Sequence, residues 1–568
     1  MTGEAPMRTS ARPRLAESVS FAAVVLGVLL ACFPYFEATR NANELPRIAQ
    51  AVALVEDGTF AVDGLLARGW DLGPDLSRGA DGRLYPNKPP GVSVVGALAY
   101  MVAKAVVGPE VTLRQVTWAV RFATAALPLA LAAGFLHRRW TLAGILPARV
   151  RLALWVACFG SPLFVYGRLA YGHALAAALL VGGIALCAEA IGRGRPARAL
   201  GGGFVAGLAV ACDYGAVFAG VPLGLVLVAS LRPRAYFVAA STLLGALVPL
   251  AALAAYHHVA FGSAFSTGYQ AVVTPAFAAK HAVGVVGLSV PRWAGFWRHV
   301  LDPGFGLLAW FPAAVVGVVG LVRMALRPGD LREEARIHLG VFVVYVLVVS
   351  GLVFDGGWRV GPRYMVVALP GLALGIADVL AWIRARVVPV AFVTGAFVYG
   401  WIVCGLAANL WPHFDPQAVR QPVVEVLLPL LRDGAAPYGV PAGPVVVTGA
   451  VLLVGWFDLL PAVAWSDPGP LPSRFFGRRL GRPAPSRSEA PVPRGAWSHV
   501  AAALAIPAGA PGRRILAAVA AGSLLGVAGV GALHLVPRHP RSAANLAYVE
   551  RVYEPGIDGR VPASRRVR

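Results

Sequence analysis

Apolar residues run along this chain in long unbroken blocks, not in the alternation of a strand or the three-four spacing of an amphipathic helix. Stretches such as 21–30, 174–190, 341–353 and 516–530 present almost nothing to water. A helix crossing a bilayer takes about 20 such residues, and counting on that basis gives about thirteen spans. They fall near 18–36, 117–136, 152–167, 174–191, 199–212, 215–231, 235–256, 305–322, 338–354, 364–383, 388–410, 443–465 and 513–536. Arginine-bearing connections at 137–151, 193–198, 232–234, 323–336, 384–386 and 467–514 are assigned to the inside by the positive-inside bias, which leaves the C-terminal tail outside. The apolar stretch 92–107 is read as a helix lying in the outer interface. A crossing there would invert the next connection and expose His137, Arg138 and Arg139 on the outer side. Leu29-Leu30-Ala31-Cys32 has the look of a lipoprotein cleavage box, but the apolar run continues through Phe36 and a dozen spans follow, so 18–36 is taken as an uncleaved helix.

Composition agrees with an all-α polytopic membrane protein. Hydrophobic residues make up 57% of the 568 positions, charged residues 14%, and the mean hydropathy is +0.67. Soluble chains carry about 25% charged residues. A soluble enzyme, a secreted disulfide scaffold and a nucleic-acid binder are thereby excluded. The formal charge of +22 sits in short connections between apolar runs, so it orients helices and does not mark an anionic polymer as partner. Five cysteines lie in apolar runs without metal-site spacing and read as small core residues.

Two outer connections are long enough to carry chemistry. The first, 37–88, holds eight acids (Glu37, Glu44, Glu56, Asp57, Asp63, Asp71, Asp75, Asp81) and six basic residues, and is net negative in a strongly positive chain. The fourth, 257–304, is rich in glycine and aromatics. In Asn43-Glu44-Leu45-Pro46-Arg47, Pro46 suits a first helical turn, and Ile48, Ala51, Val52 and Val55 follow at helical spacing. Glu44, near the bilayer surface, is placed to act as a general base; the alternative is that it caps the helix and complements its dipole. Lys88, in the rigid turn Tyr85-Pro86-Asn87-Lys88-Pro89-Pro90-Gly91, is placed either to hold a phosphate or to snorkel to the interface. Gly356-Gly357-Trp358-Arg359-Val360-Gly361-Pro362-Arg363-Tyr364 puts two arginines on the outer side, against the charge bias. Arg363 suits bidentate phosphate binding, and an ion pair from Asp355 to Arg359 or Arg363 is the structural alternative. His173 and Asp213 are ionisable groups at membrane depth, candidates for substrate contact, though Asp213 equally suits a turn between two short spans.

These elements, in this order, resemble the GT-C superfamily of membrane glycosyltransferases, in particular bacterial relatives of the protein O-mannosyltransferases and of the lipid A aminoarabinose transferase. The resemblance covers about residues 18–465. It rests on Asn43-Glu44 with Arg47, on Lys88 to Gly91, on Phe261-Gly262-Ser263 through Gly268-Tyr269, and on Gly356 to Tyr364. It implies a sugar donor carried on a polyprenyl phosphate, transfer with inversion on the non-cytoplasmic face, and an unknown acceptor (protein, glycan or glycolipid). Lys88 matches the lysine that contacts the lipid phosphate, Arg363 a second contact, and Arg47 and Tyr269 belong to the same substrate-binding set. The family usually has Asp-Glu where this chain has Asn43-Glu44, with the Asp as base. Asparagine cannot take a proton, so the role falls to Glu44 or to another loop acid such as Asp63 or Asp81. Neither a cofactor nor a metal is expected, the phosphate being already a good leaving group. The competing functions are a flippase or transporter of lipid-linked sugars and a non-catalytic membrane scaffold. The implied organisation is a cytoplasmic N-terminus (1–17), a catalytic membrane module (18–256) containing the outer loop 37–116, the fourth outer loop (257–304) and C-terminal membrane helices (305–465). A disordered Pro- and Arg-rich cytoplasmic linker (466–512), a last span (513–536) and an outer tail (537–568) complete it.

Overall fold

The computed structural model describes residues 15–33, 43–230, 235–354, 356–383, 386–434, 442–464 and 510–553. Asp355 and almost all of the expected linker at 466–512 lie outside the described residues. Among the described residues the chain is an all-α polytopic membrane protein. Eight helices have the length and hydropathy of a membrane span, from Leu113–Leu142 to Gly512–Leu535, and five shorter apolar helices of 10–17 residues accompany them. Two expected spans are interrupted. The helix Pro147–Phe159 stops at Gly160, and a single turn, Leu163–Tyr166, follows Pro162, which has no N–H to continue the ladder. The same happens at Pro312, which separates the turn Leu307–Trp310 from the helix Ala313–Leu326.

Small residues let the helices meet backbone to backbone, since lipid supplies no hydrophobic drive to press them together. A Cβ placed on Gly320 would stand 1.8 Å from the Gly375 carbonyl, and one on Gly375 would stand 1.9 Å from the Gly317 carbonyl. Those two helices therefore have no room for any side chain at the crossing. The helix Gly91–Val107 buries Val92, Ser93, Gly96, Ala97 and Tyr100 and leaves Leu98, Met101, Val102 and Val106 exposed. It is apolar on both sides, as a helix covered partly by protein and partly by lipid must be.

The first outer loop is built, not irregular. Leu45–Glu56 is helical with Pro46 in its first turn, as the spacing predicts. A two-stranded antiparallel ladder follows, pairing Leu76 with Pro86, Ser77 with Tyr85 and Arg78 with Leu84. Strands of three residues leave no alternation to read, so the sequence pattern did not show them. The fourth outer loop docks on this ladder: the Ser77 hydroxyl donates to the Gly268 carbonyl at 2.5 Å, and a Cβ on Gly268 would lie 2.7 Å from Asn87 Cα.

Candidate active site

Four connections, far apart in sequence, close around one cavity of about 420 Å³. Loop one contributes Asn43, Pro74, Asp75 and Lys88; loop four contributes Tyr269, Phe277, Lys280 and His281. The glycine-rich turn brings Phe354, Trp358, Arg363 and Tyr364, and the segment after the helix Val387–Asn409 brings His413, Asp415 and Gln417. Three of these four connections carry the motifs singled out above.

The short ladder explains the position of Lys88. Its register continues in a bond from the Asn87 N–H to the Asp75 carbonyl, 3.1 Å, so Asp75 and Lys88 emerge side by side. Lys88 Nζ lies 3.2 Å from Asp75 Oδ2 and 5.2 Å from the Tyr269 ring centroid, with both charged side chains about nine-tenths buried. Burial, with the Arg47 and Arg363 cations opposing it further, draws the ammonium down to about 8 despite Asp75.

Arg363 opens the 3-10 turn Arg363–Ala368. The approach to it requires Gly356 and Gly361 at φ +87° and +57°, a region that side chains rarely enter. Its guanidinium stands over the Tyr364 and Tyr171 rings at 5.1 and 5.9 Å, and Nη2 donates to the Tyr364 hydroxyl at 3.2 Å. Nε and Nη1 are buried with no protein partner among the described residues. Buried guanidinium donors without an acceptor are costly unless a ligand supplies one.

Arg47 lies just beneath the cavity, buried, with Nη1 donating to the Asn43 carbonyl. Burial lowers its pKa although Tyr269, Asp213 and Asp75 favour the cation. His173 and Asp213 also lie below the cavity lining, joined by an Nδ1–Oδ2 contact of 2.5 Å, and Asp213 Oδ1 accepts from the Gly215 N–H at 3.0 Å. The His173 ring meets the Tyr364 ring edge to face at 6.0 Å. None of these three residues is among those that line the cavity.

Glu44 sits behind the cavity wall. Its side chain is fully buried and does not line the cavity; its neighbour Asn43 does. Arg121 Nε and Nη2 donate to the two carboxylate oxygens at 2.8 Å each, and the Ala170 N–H adds a third bond at 2.7 Å. Burial pushes the carboxyl pKa up, but Arg121 outweighs it and holds Glu44 below the usual carboxylate range. Glu44 is thus held on both oxygens by Arg121 and the Ala170 N–H and set back from the cavity lining. Asp63 and Asp81 do not line the cavity either. Asp63 accepts from the Leu84 N–H, and Asp81 is held by Arg83 and Tyr85.

Among the described residues the acids that line it are Asp75 and Asp415. Asp75 is committed to Lys88. Asp415 accepts from the Gln417 N–H through Oδ1 at 2.9 Å, and no cation is paired with it among the described residues. His413 beside it is buried and shares a 3.2 Å hydrogen bond between Nδ1 and the Tyr171 hydroxyl. Burial pulls the imidazole down to about 3, so it is neutral at ordinary pH. The run Trp411-Pro412-His413-Phe414-Asp415-Pro416-Gln417 carries its own sequence signal, two prolines bracketing polar and aromatic residues at a helix end. No group of three or more His, Cys, Asp or Glu side chains among the described residues is placed to hold a metal ion.

No family model matches the chain, and no curated protein matches it. Its overall fold is similar to that of ArnT from Cupriavidus metallidurans in the apo state, at 15% identity and a TM-score of 0.46, covering 91% of this chain and 77% of that one. The same ArnT bound to undecaprenyl phosphate gives 15% identity and a TM-score of 0.44, with 92% and 78% covered. The arabinosyltransferase EmbB from Mycobacterium smegmatis gives 14% identity and a TM-score of 0.42, with 96% of this chain and 44% of EmbB covered.

Proposed function

We propose that this chain is a GT-C-type glycosyltransferase that moves a sugar from a polyprenyl-phosphate donor to an acceptor at the outer face of the cytoplasmic membrane. The observation that carries the reading is the convergence of Lys88 and Arg363, with Arg47 behind them, on one cavity at the outer ends of the helices. Buried cations need an anion. Arg363 offers two unmatched N–H donors, and a phosphate at the membrane surface meets that need. The order of the sequence motifs supports the same family.

In this reading the lipid phosphate lies between Lys88 and Arg363. The acceptor O–H loses its proton to Asp415 as its oxygen bonds the anomeric carbon. The bond from that carbon to the phosphate oxygen breaks, and its electron pair leaves with the lipid phosphate. The phosphate gains one negative charge, and Lys88 and Arg363 stabilise it where it develops. An inverting displacement needs the base on the side away from the phosphate, which favours Asp415 over Asp75, held against Lys88. Asp75 keeps the lysine in place until the donor takes it over. Glu44 fixes loop one through Arg121, and His173 with Asp213 stiffens the floor.

The test is binding of undecaprenyl phosphate to the purified protein. Affinity falls at least tenfold in Lys88→Ala and in Arg363→Ala and is unchanged in Arg298→Ala, a loop-four control outside the cavity lining. Equal affinity in all four proteins would remove the phosphate from this cavity.

A further inference from the structure

A second cavity, about 330 Å³, lies at the other end of the bundle, and the reaction above has no use for it. The helix His173–Arg193 begins beside the first cavity, and Glu189 lies about 24 Å further along it at 1.5 Å per residue. This is the arginine-rich end that the charge bias assigns to the cytoplasm. The Glu189 side chain, 9% exposed, receives three guanidinium groups. Arg139 Nη1 is 3.2 Å away, and Arg193 and Arg198 each donate to one of its oxygens. A second acid, Glu334, takes Arg139 at 2.6 Å and accepts from Trp140 Nε1 at 2.7 Å, so Arg139 divides between two acids while Arg193 and Arg198 both rest on Glu189. Arg138 also faces the cavity. Lining cations (Arg138, Arg139, Arg193, Arg198) outnumber lining acids (Glu189, Asp330) by two, and by one once Glu334 is counted against Arg139.

The cavity has an apolar approach. Leu131, Phe135, Arg138 and Leu142 recur at spacings of four, three and four, so they lie on one face of their helix. Leu131, Phe135 and Leu142 are exposed at 59%, 38% and 50%. An apolar ridge on the lipid side thus ends in a basic hollow at headgroup level. That combination of charge and shape fits one amphiphile end to end, with acyl chain along the ridge and phosphate in the hollow.

We propose that this cavity binds the phosphate headgroup of an anionic phospholipid of the inner leaflet. The phosphate displaces solvent from Arg138, Arg193 and Arg198 while Glu189 keeps the last two splayed. The site is separate from the transfer reaction and stands whatever the donor proves to be.

The full chain, stripped of lipid in detergent, is titrated with phosphatidylglycerol, phosphatidylcholine or inorganic phosphate and followed by native mass spectrometry. The expected result is one retained phosphatidylglycerol, bound about tenfold more tightly than phosphatidylcholine, with inorganic phosphate unable to displace it. Arg193→Gln with Arg198→Gln abolishes the preference, and Arg138→Gln, which breaks no ion pair of Glu189, reduces it without lowering the melting temperature. Equal retention of the two lipids, or a preference that survives both variants, overturns the proposal. Displacement by inorganic phosphate overturns the lipid and leaves a soluble anion as the ligand.

Discussion

Replacing Glu44 by glutamine removes one charge from a pair that no water reaches. Both Glu44 and Arg121 side chains are fully buried, 2.8 Å apart at two contacts. The variant keeps one carbonyl oxygen for Arg121 or Ala170 and turns an amide N–H₂ toward a guanidinium that already donates there. Removing one partner of a buried pair costs about 3–5 kcal/mol, because the remaining charge loses its compensation. The expected outcome is a melting temperature at least about 5 °C lower in detergent, with sugar release per folded molecule close to wild type. Acid titration gives an independent check. Glu44 has a folded pKa below its ordinary 4.5, so its contribution to stability is fully present above that value. The contribution disappears as pH falls through the folded pKa. The wild type should therefore lose more stability than the variant between pH 5 and the folded value. A double replacement, Glu44→Leu with Arg121→Leu, removes both charges and should recover much of the loss. A Glu44→Gln protein of normal melting temperature and no activity would refute this reasoning and return the base to Glu44.

Three further outcomes follow from the geometry. Donor binding should weaken as pH rises through about 8, by at most tenfold per unit, because the Lys88 ammonium loses its proton there; Lys88→Arg should remove that limb in an affinity-versus-pH series. Arg363→Lys keeps the charge but loses the guanidinium donors Nε and Nη1 that have no partner among the described residues, and at about 1.5–3 kcal/mol for a hydrogen bond to a charged group, donor affinity should drop about ten- to hundredfold by calorimetry. Gly375→Val should lower the melting temperature and yield, since its Cβ would stand 1.9 Å from the Gly317 carbonyl and overpacking costs about 1–3 kcal/mol or more.

What the sequence made legible was whatever stood out against an apolar background. Lys88 among prolines, Arg363 behind glycines and Tyr269 in a glycine-rich run stand out because charge is sparse in such a chain and glycine and proline cluster around these positions, and all three line the cavity. Glu44 was visible too, but its partner Arg121 lies 77 residues away on another helix, and no local pattern connects them. The Asp75–Lys88 pair depends on a ladder of three residues per strand, too short to leave a period. Asn43 shows the same limit from the other side: in the structure it faces the cavity and its acidic neighbour does not, a distinction set by one residue of helical phase before Leu45. The interruptions at Gly160 and Pro312 were hidden because hydropathy does not register a break in the backbone ladder.

The central claim is that this cavity transfers sugar from a lipid phosphate with Asp415 as base. It is tested most directly by sugar release from radiolabelled polyprenyl-phosphate sugars, comparing wild type with Asp415→Asn, Asp75→Asn, Glu44→Gln and Lys88→Ala. The account predicts release by wild type, loss of about a hundredfold or more in Asp415→Asn, and a fall in Lys88→Ala that saturating donor partly restores. Glu44→Gln should release in proportion to its folded fraction. Full release by Asp415→Asn with loss in Asp75→Asn would contradict the assignment of the base, and undiminished release by Lys88→Ala would contradict the site itself.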